Sequence, residues 1–206
     1  MLRSKSRDVT CANNVTVVNL FYNATSLGCR DMPQINIAGG QHGDNTEDAG
    51  TADEARFCGY APKSKQLTFL KQAFWIVQHN IFKKNSHCNS YFKLLRADGT
   101  SRSFDEVWQD QTIWVSYDPR VGLGWDGLTN RVDGSEITIG EEAFRKGNVW
   151  YLTGVLVHEL AHTNGAGGPP SKAASTALKF CGLAALYDGA VGIAPSLTQR
   201  NDTRVV

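Results

Sequence analysis

The chain has 206 residues, of which 41% are hydrophobic and 20% charged, with 20 glycines and 6 prolines; this globular composition excludes a collagen-like or largely disordered chain. Lys plus Arg (21) nearly balances Asp plus Glu (20), for a formal charge of +1, so no long-range field draws the protein onto nucleic acid or an acidic membrane. No apolar run reaches the roughly 18 residues a membrane span requires, and the length suits one domain with or without an N-terminal appendage.

Residues 1–62 read as a loop-rich N-terminal region. Val15, Val17, Val18, Leu20 and Phe21 form a short β-prone run, and the polar stretch 39–52 (GGQHGDNTEDAGTA) reads as an exposed loop. From Lys63 the pattern changes, and 63–206 reads as the main domain. Leu70, Ala73, Phe74, Val77 and Ile81 recur at helical spacing and predict a helix over 65–84. A short helix follows over 89–95, and Ser103 with Glu106 has the spacing of a capping box. Residues 111–117 predict a strand, 118–134 a Gly- and Asp-rich turn, and 137–139 a second strand ended by Gly140. Leu152, Val155, Leu156 and Leu160 give the apolar stripe of a helix over 149–164, broken by the Gly- and Pro-rich segment 165–170. Ser171 is placed to cap a last helix running to Tyr187, with Ala174, Ala177, Leu178, Cys181 and Ala185 on one face. Helices, a small sheet, then two more helices make an α+β fold.

Five cysteines stand at 11, 29, 58, 88 and 181, without the close spacing of a zinc knuckle. Four lie in the first 88 residues, which suits two disulfides bracing the N-terminal region and leaves Cys181 as the odd thiol on a core-facing helix. Asn-x-Thr sequons at Asn14, Asn23 and Asn201 point the same way, to a secreted protein. The first ten residues hold no apolar run, the expectation being a leader that is absent or already removed.

The chemistry concentrates in His158-Glu159-Leu160-Ala161-His162, an HExxH motif inside a predicted helix. Residues four apart lie one above the other on a helix, so both imidazoles can present a nitrogen to one Zn²⁺. Glu159, on an adjacent part of the same face, is placed to take a proton from the attacking water and deliver it to a leaving amine. Buried histidines and a carboxylate among Val155, Leu156, Val157, Leu160 and Ala161 call for a partner, and a metal supplies one. No G-x-S-x-G element suggests a serine nucleophile.

On that motif and the short strand before it, 136–140, the chain resembles the zincin metallopeptidases. The upstream helix leading to Tyr91-Phe92-Lys93 and the cysteine-bearing N-terminal part are most similar to the secreted fungal deuterolysin and peptidyl-lysine metalloendopeptidase group. The resemblance spans residues 63–170 and implies a zincin-like fold, with a small twisted sheet packed over the HExxH helix. It also implies zinc-dependent hydrolysis of peptide bonds in a secreted protein, with a peptide or protein substrate bound as an added strand along an edge near 137–139. A monomer is expected, without nucleic acid or membrane as partner.

That group is expected to take its third zinc ligand from a Gly-Thr-x-Asp-x-x-Tyr-Gly segment, which the chain lacks; 167–174 reads GGPPSKAA. After His162 only Asp188 and Asp202 are acidic, and no His or Glu follows. Asp188, at the end of the last helix, is the leading candidate for third ligand, with Tyr187 beside it as an oxyanion stabiliser. Cys181, His42, Asp44 and His87 stay open as alternatives, and Trp125 as a wall of the substrate groove. A non-catalytic zinc-binding or host-protein-binding secreted protein on the same scaffold is the competing expectation.

Overall fold

The computed structural model of the chain describes residues 32–40, 42, 55–129, 134–167 and 172–183. By internal contacts the chain divides into Met1–Asp31 and Met32–Val206, and every described residue belongs to the second unit. The run 15–21, the three sequons, Cys11 and Cys29 lie outside the described residues.

Strands β1 (Gln34–Ile35), β2 (Trp114–Asp118), β3 (Gly127–Thr129) and β4 (Glu136–Gly140) form one mixed sheet in the order β1-β2-β4-β3. β1 and β4 both run parallel to β2, and β3 runs antiparallel to β4. Val115 stands beside Ile137 and Tyr117 beside Ile139, while Gly127 faces Ile139 and Thr129 faces Ile137. Successive strand residues point to opposite faces, so these six share one face, and Val115, Ile137 and Ile139 are fully buried on it. The opposite face carries Trp114, Ser116, Asp118, Glu136 and Thr138.

The described residues of 32–62, read from sequence as part of a separate N-terminal region, include segments that pair with this sheet. β1 lies against β2, Cys58 and Tyr117 exchange two backbone hydrogen bonds of 3.0 and 2.9 Å, and Tyr60 is fully buried in the core. These contacts are one or two residues long, too short to leave a period in the sequence.

Helix α1 (Lys65–Ile76) begins where the Ser64 side chain accepts from the Leu67 N–H at 3.1 Å. It continues as a π-helical turn over Val77–Ile81, and Leu70, Ala73, Phe74, Val77 and Ile81 are all buried as their spacing predicts. α2 (Ser86–Phe92) starts three residues before the expected position because Asn85 caps it, accepting from the Cys88 N–H. α3 (Phe104–Trp108) opens on the Ser103–Glu106 capping box. α4 (Glu141–Arg145) follows Gly140 without a loop and has no counterpart in the sequence reading.

α5 (Val149–Thr163) is the central helix. Asn148 caps it through Trp150 and Tyr151 N–H, and it packs on α1, β3, β4 and α6 (Ala173–Phe180). Leu152, Leu156 and Leu160 are fully buried along its stripe, each contributing about 1.5–3 kcal/mol relative to an exposed side chain. α6 was expected to reach Tyr187 but stops at Phe180. The Leu183 N–H bonds the Leu178 carbonyl and Gly182 bonds Lys179, a Schellman closure on Gly182. Ser171 lies outside the described residues.

Cys88 and Cys181 are joined in a disulfide that ties α2 to α6. This corrects two expectations: Cys88 does not pair within the N-terminal region, and Cys181 is neither the odd thiol nor a soft metal ligand. Among the described residues no helix is long and apolar enough to cross a membrane.

Candidate metal centre

A helix turns about 100° per residue, so His158 and His162 project about 40° apart on α5 and Glu159 about 100° from His158. The two Nε2 atoms lie 3.2 Å from each other. Two nitrogens bound tetrahedrally to one Zn²⁺ at 2.0–2.1 Å would be about 3.3 Å apart. The observed 3.2 Å spacing therefore fits a shared cation.

The orientation of His162 is fixed by how α5 ends. Asn164 is the C-cap, Gly165 turns with φ +99°, and Ala166 donates back to the Ala161 carbonyl at 3.0 Å while Gly165 donates to His162. Glycine is the residue suited to that positive φ. The turn brings the Ala166 carbonyl to 2.8 Å from His162 Nδ1. A carbonyl only accepts, so Nδ1 carries the hydrogen and Nε2 is the nitrogen turned towards His158. This carbonyl–histidine contact is the usual outer-shell support of a metal ligand. Burial, together with the nearby His162, pulls the His158 pKa down to about 4, so that imidazole is neutral at pH 7 and available as a donor. Two imidazoles so placed fit two positions of a zinc site.

Glu159 is 4% exposed and faces β3. The Thr129 hydroxyl donates to its Oε2 at 2.8 Å, and burial raises its pKa to about 7 against the opposing pull of the Thr129 hydroxyl and main-chain N–H. On the same strand Gly127 lies so close that a Cβ there would be 2.9 Å from Glu159 Cγ and Oε1 and 2.8 Å from Val155 Cγ1. Only a residue without a side chain admits this approach of strand to helix.

The sheet edge beside the site is β3, and this corrects the expectation that 137–139 offers the edge. β4 is paired on both sides, with β2 and with β3. The Gly140 N–H bonds the Asp126 carbonyl at 2.9 Å, so residues 126 and 128 turn their main chain to β4 and Gly127 turns its own outward. The start of β3 is pinned by a cluster absent from the sequence reading: Lys146 Nζ lies 2.8 Å from Asp126 Oδ2 and 2.5 Å from the Tyr151 hydroxyl, which itself donates to Asp126. Asp126 and Lys146 are twenty residues apart, and no local pattern joins them.

Among the described residues, the candidates His42, His87 and Trp125 do not join His158 and His162. His42 pairs with Glu136 at 2.7 Å and stacks on Trp114, on the sheet face opposite α5. His87 is exposed on α2. Trp125 packs against Gly140, again on that opposite face. Asp44, Tyr187 and Asp188 lie outside the described residues. Among the described residues no group of three or more His, Cys, Asp or Glu forms a metal site. In comparison with known proteins, the chain matches no protein-family model, no curated protein and no solved structure.

Proposed function

We propose that the protein is a secreted zinc-dependent metalloendopeptidase of zincin-like fold, with His158 and His162 as metal ligands and Glu159 as general base. The observation that carries this is the pair of Nε2 atoms 3.2 Å apart, one of them oriented by the Ala166 carbonyl, next to a buried glutamate. Asp188 remains the candidate for third ligand and Tyr187 for oxyanion stabilisation, both on sequence grounds. Zinc, when bound, supplies a Lewis acid for the scissile carbonyl and makes the attacking water more acidic.

The chain's own groups do the rest. A substrate strand pairs with the outward main chain at Gly127, which supplies register without requiring a particular side chain. The Glu159 carboxylate accepts a proton from water as the water oxygen bonds to the carbonyl carbon. Glu159 then returns that proton to the amine nitrogen as the C–N bond breaks. A pKa near 7 suits a group that must both take and give a proton near neutrality. The disulfide between Cys88 and Cys181 supports an oxidising compartment.

The test is zinc stoichiometry measured beside cleavage of casein and a peptide library. The wild-type protein is expected to hold one zinc and to cleave, with activity removed by a chelator and restored by Zn²⁺. Glu159→Gln should keep its zinc and lose cleavage by a factor of at least about 10². Full activity in Glu159→Gln overturns the catalytic role. Tight zinc without cleavage favours a zinc-binding protein on the same scaffold.

A further inference from the structure

We infer that Thr129 is a positioning residue whose hydroxyl holds the Glu159 carboxylate beside the zinc site without letting it become a ligand. The inference rests on the zinc-site reading of His158 and His162 and goes beyond it by assigning a role to the edge strand. A carboxylate next to a dication has two competing uses. It can coordinate the metal, or it can stay one step away and move protons. An HExxH helix does not decide between them by itself, because the glutamate is on a flexible side chain with three rotatable bonds.

In this protein β3 makes the choice. The helix directs Glu159 about 80° away from the bisector of the two histidines, towards β3. There the Thr129 hydroxyl donates to Oε2 at 2.8 Å, and the strand's approach at Gly127 confines Cγ and Oε1. Glu159 is 4% exposed, so water cannot replace a lost hydroxyl at the carboxylate without displacing packed atoms. The hydroxyl also reaches the Glu159 carbonyl at 3.1 Å, but it has one proton, and the shorter bond to the carboxylate takes it. Removing the hydroxyl leaves the buried carboxylate held on β3 by the Thr129 main-chain N–H alone, and so freer to turn towards a bound metal. Thr129 therefore acts through Glu159 and touches neither metal nor substrate in this role.

The experiment compares wild-type protein, Thr129→Val and Thr129→Ser, all as the full chain. Zn²⁺ affinity is measured by competition with a chelating dye, and kcat and KM with one cleaved peptide. Thr129→Val keeps shape and strand propensity and loses only the hydroxyl. It is expected to bind Zn²⁺ about tenfold tighter, the scale on which outer-shell partners act, because Glu159 turns to the metal. Its kcat should fall about 10²-fold with KM unchanged. Thr129→Ser should return both quantities towards wild type. A merely structural role would not tighten metal binding, so Zn²⁺ affinity in Thr129→Val equal to or weaker than wild type overturns the inference. Wild-type protein that binds zinc but cleaves nothing refutes the endopeptidase reading alone, and the zinc titration still decides Thr129. Wild-type protein that takes up no zinc overturns both.

Discussion

Replacing Gly165 by Ala tests whether the end of α5 shapes the proposed metal site. Gly165 has φ +99°, and an L-residue in the left-handed region costs roughly 1–2 kcal/mol. An added Cβ would also stand 2.4 Å from Arg96 Cγ and Nε; moving that side chain adds about 1 kcal/mol. The larger consequence is for the Schellman turn, which alone places the Ala166 carbonyl on His162 Nδ1. Losing such a support weakens metal binding about 10- to 100-fold. Because zinc bound at the proposed site would stabilise only the folded state, each tenfold loss would remove about 1.4 kcal/mol of stability at saturating metal. Urea unfolding of Gly165→Ala with and without Zn²⁺ should therefore show a deficit larger with the metal than without it. An equal deficit in both conditions, or an unchanged Zn²⁺ affinity, refutes the link between the turn and the site.

The Cys88–Cys181 disulfide closes a separation of 93 residues, for which loop-closure entropy predicts about 4–5 kcal/mol. The double variant Cys88→Ala/Cys181→Ala should approach that loss in urea unfolding, while wild-type protein under reductant should move towards it; a change below about 1 kcal/mol would contradict the entropic argument. Asp118 is fully buried, and burial, which alone would raise its pKa, is outweighed by the Arg120 guanidinium and the Arg56 and Arg120 N–H groups, so the pKa ends below the ordinary value. A lowered folded-state pKa means the unfolded chain binds the proton first. The stability Asp118 contributes is thus complete above about pH 4 and is lost as pH falls through its folded value. Asp118→Asn should cost about 3–5 kcal/mol near neutrality and flatten the acid limb of the stability–pH profile; parallel limbs in variant and wild type would refute this assignment.

What the sequence carried was whatever repeats or caps locally. The stripe Leu152, Leu156, Leu160 and the i, i+4 histidines follow from one helical period: the three leucines are buried, and the two Nε2 atoms lie 3.2 Å apart. The Ser103 capping box is a local contact and was equally legible. β3 was not, because three residues beginning with Gly, inside a turn-rich stretch, carry no alternation; its partner β4 and the helix it leans on define it. The same holds for Thr129, which reaches Glu159 across thirty residues. The premature end of α6 did have a signal in Gly182, but Ala185 kept the helical period going and masked it. The disulfide lay beyond reach for a different reason: five cysteines permit many pairings, and only the packing of α2 on α6 selects one.

The parts of the site differ in how firmly they are held, and that difference bears on mechanism. At its C-terminal end α5 is tied down by Asn164, 2% exposed, whose side chain donates to the Phe92 and Arg102 carbonyls at 3.0 and 2.7 Å and accepts from the Arg102 N–H at 2.9 Å. Phe92 ends α2, and α2 is bonded covalently to α6. At the N-terminal end Tyr151 is locked to Asp126 and Lys146. His158 and His162 thus stand on a helix fixed at both ends, the arrangement that holds ligand geometry to a few tenths of an ångström. β3 is held on one side by β4 and at its start by Asp126, while its outer main chain has no strand beside it among the described residues. A peptide adding to that edge would order the strand whose Gly127 and Thr129 set the Glu159 carboxylate. On the proposed reading, substrate binding and alignment of the base would be one event on one strand, whereas His158 and His162 would need no adjustment.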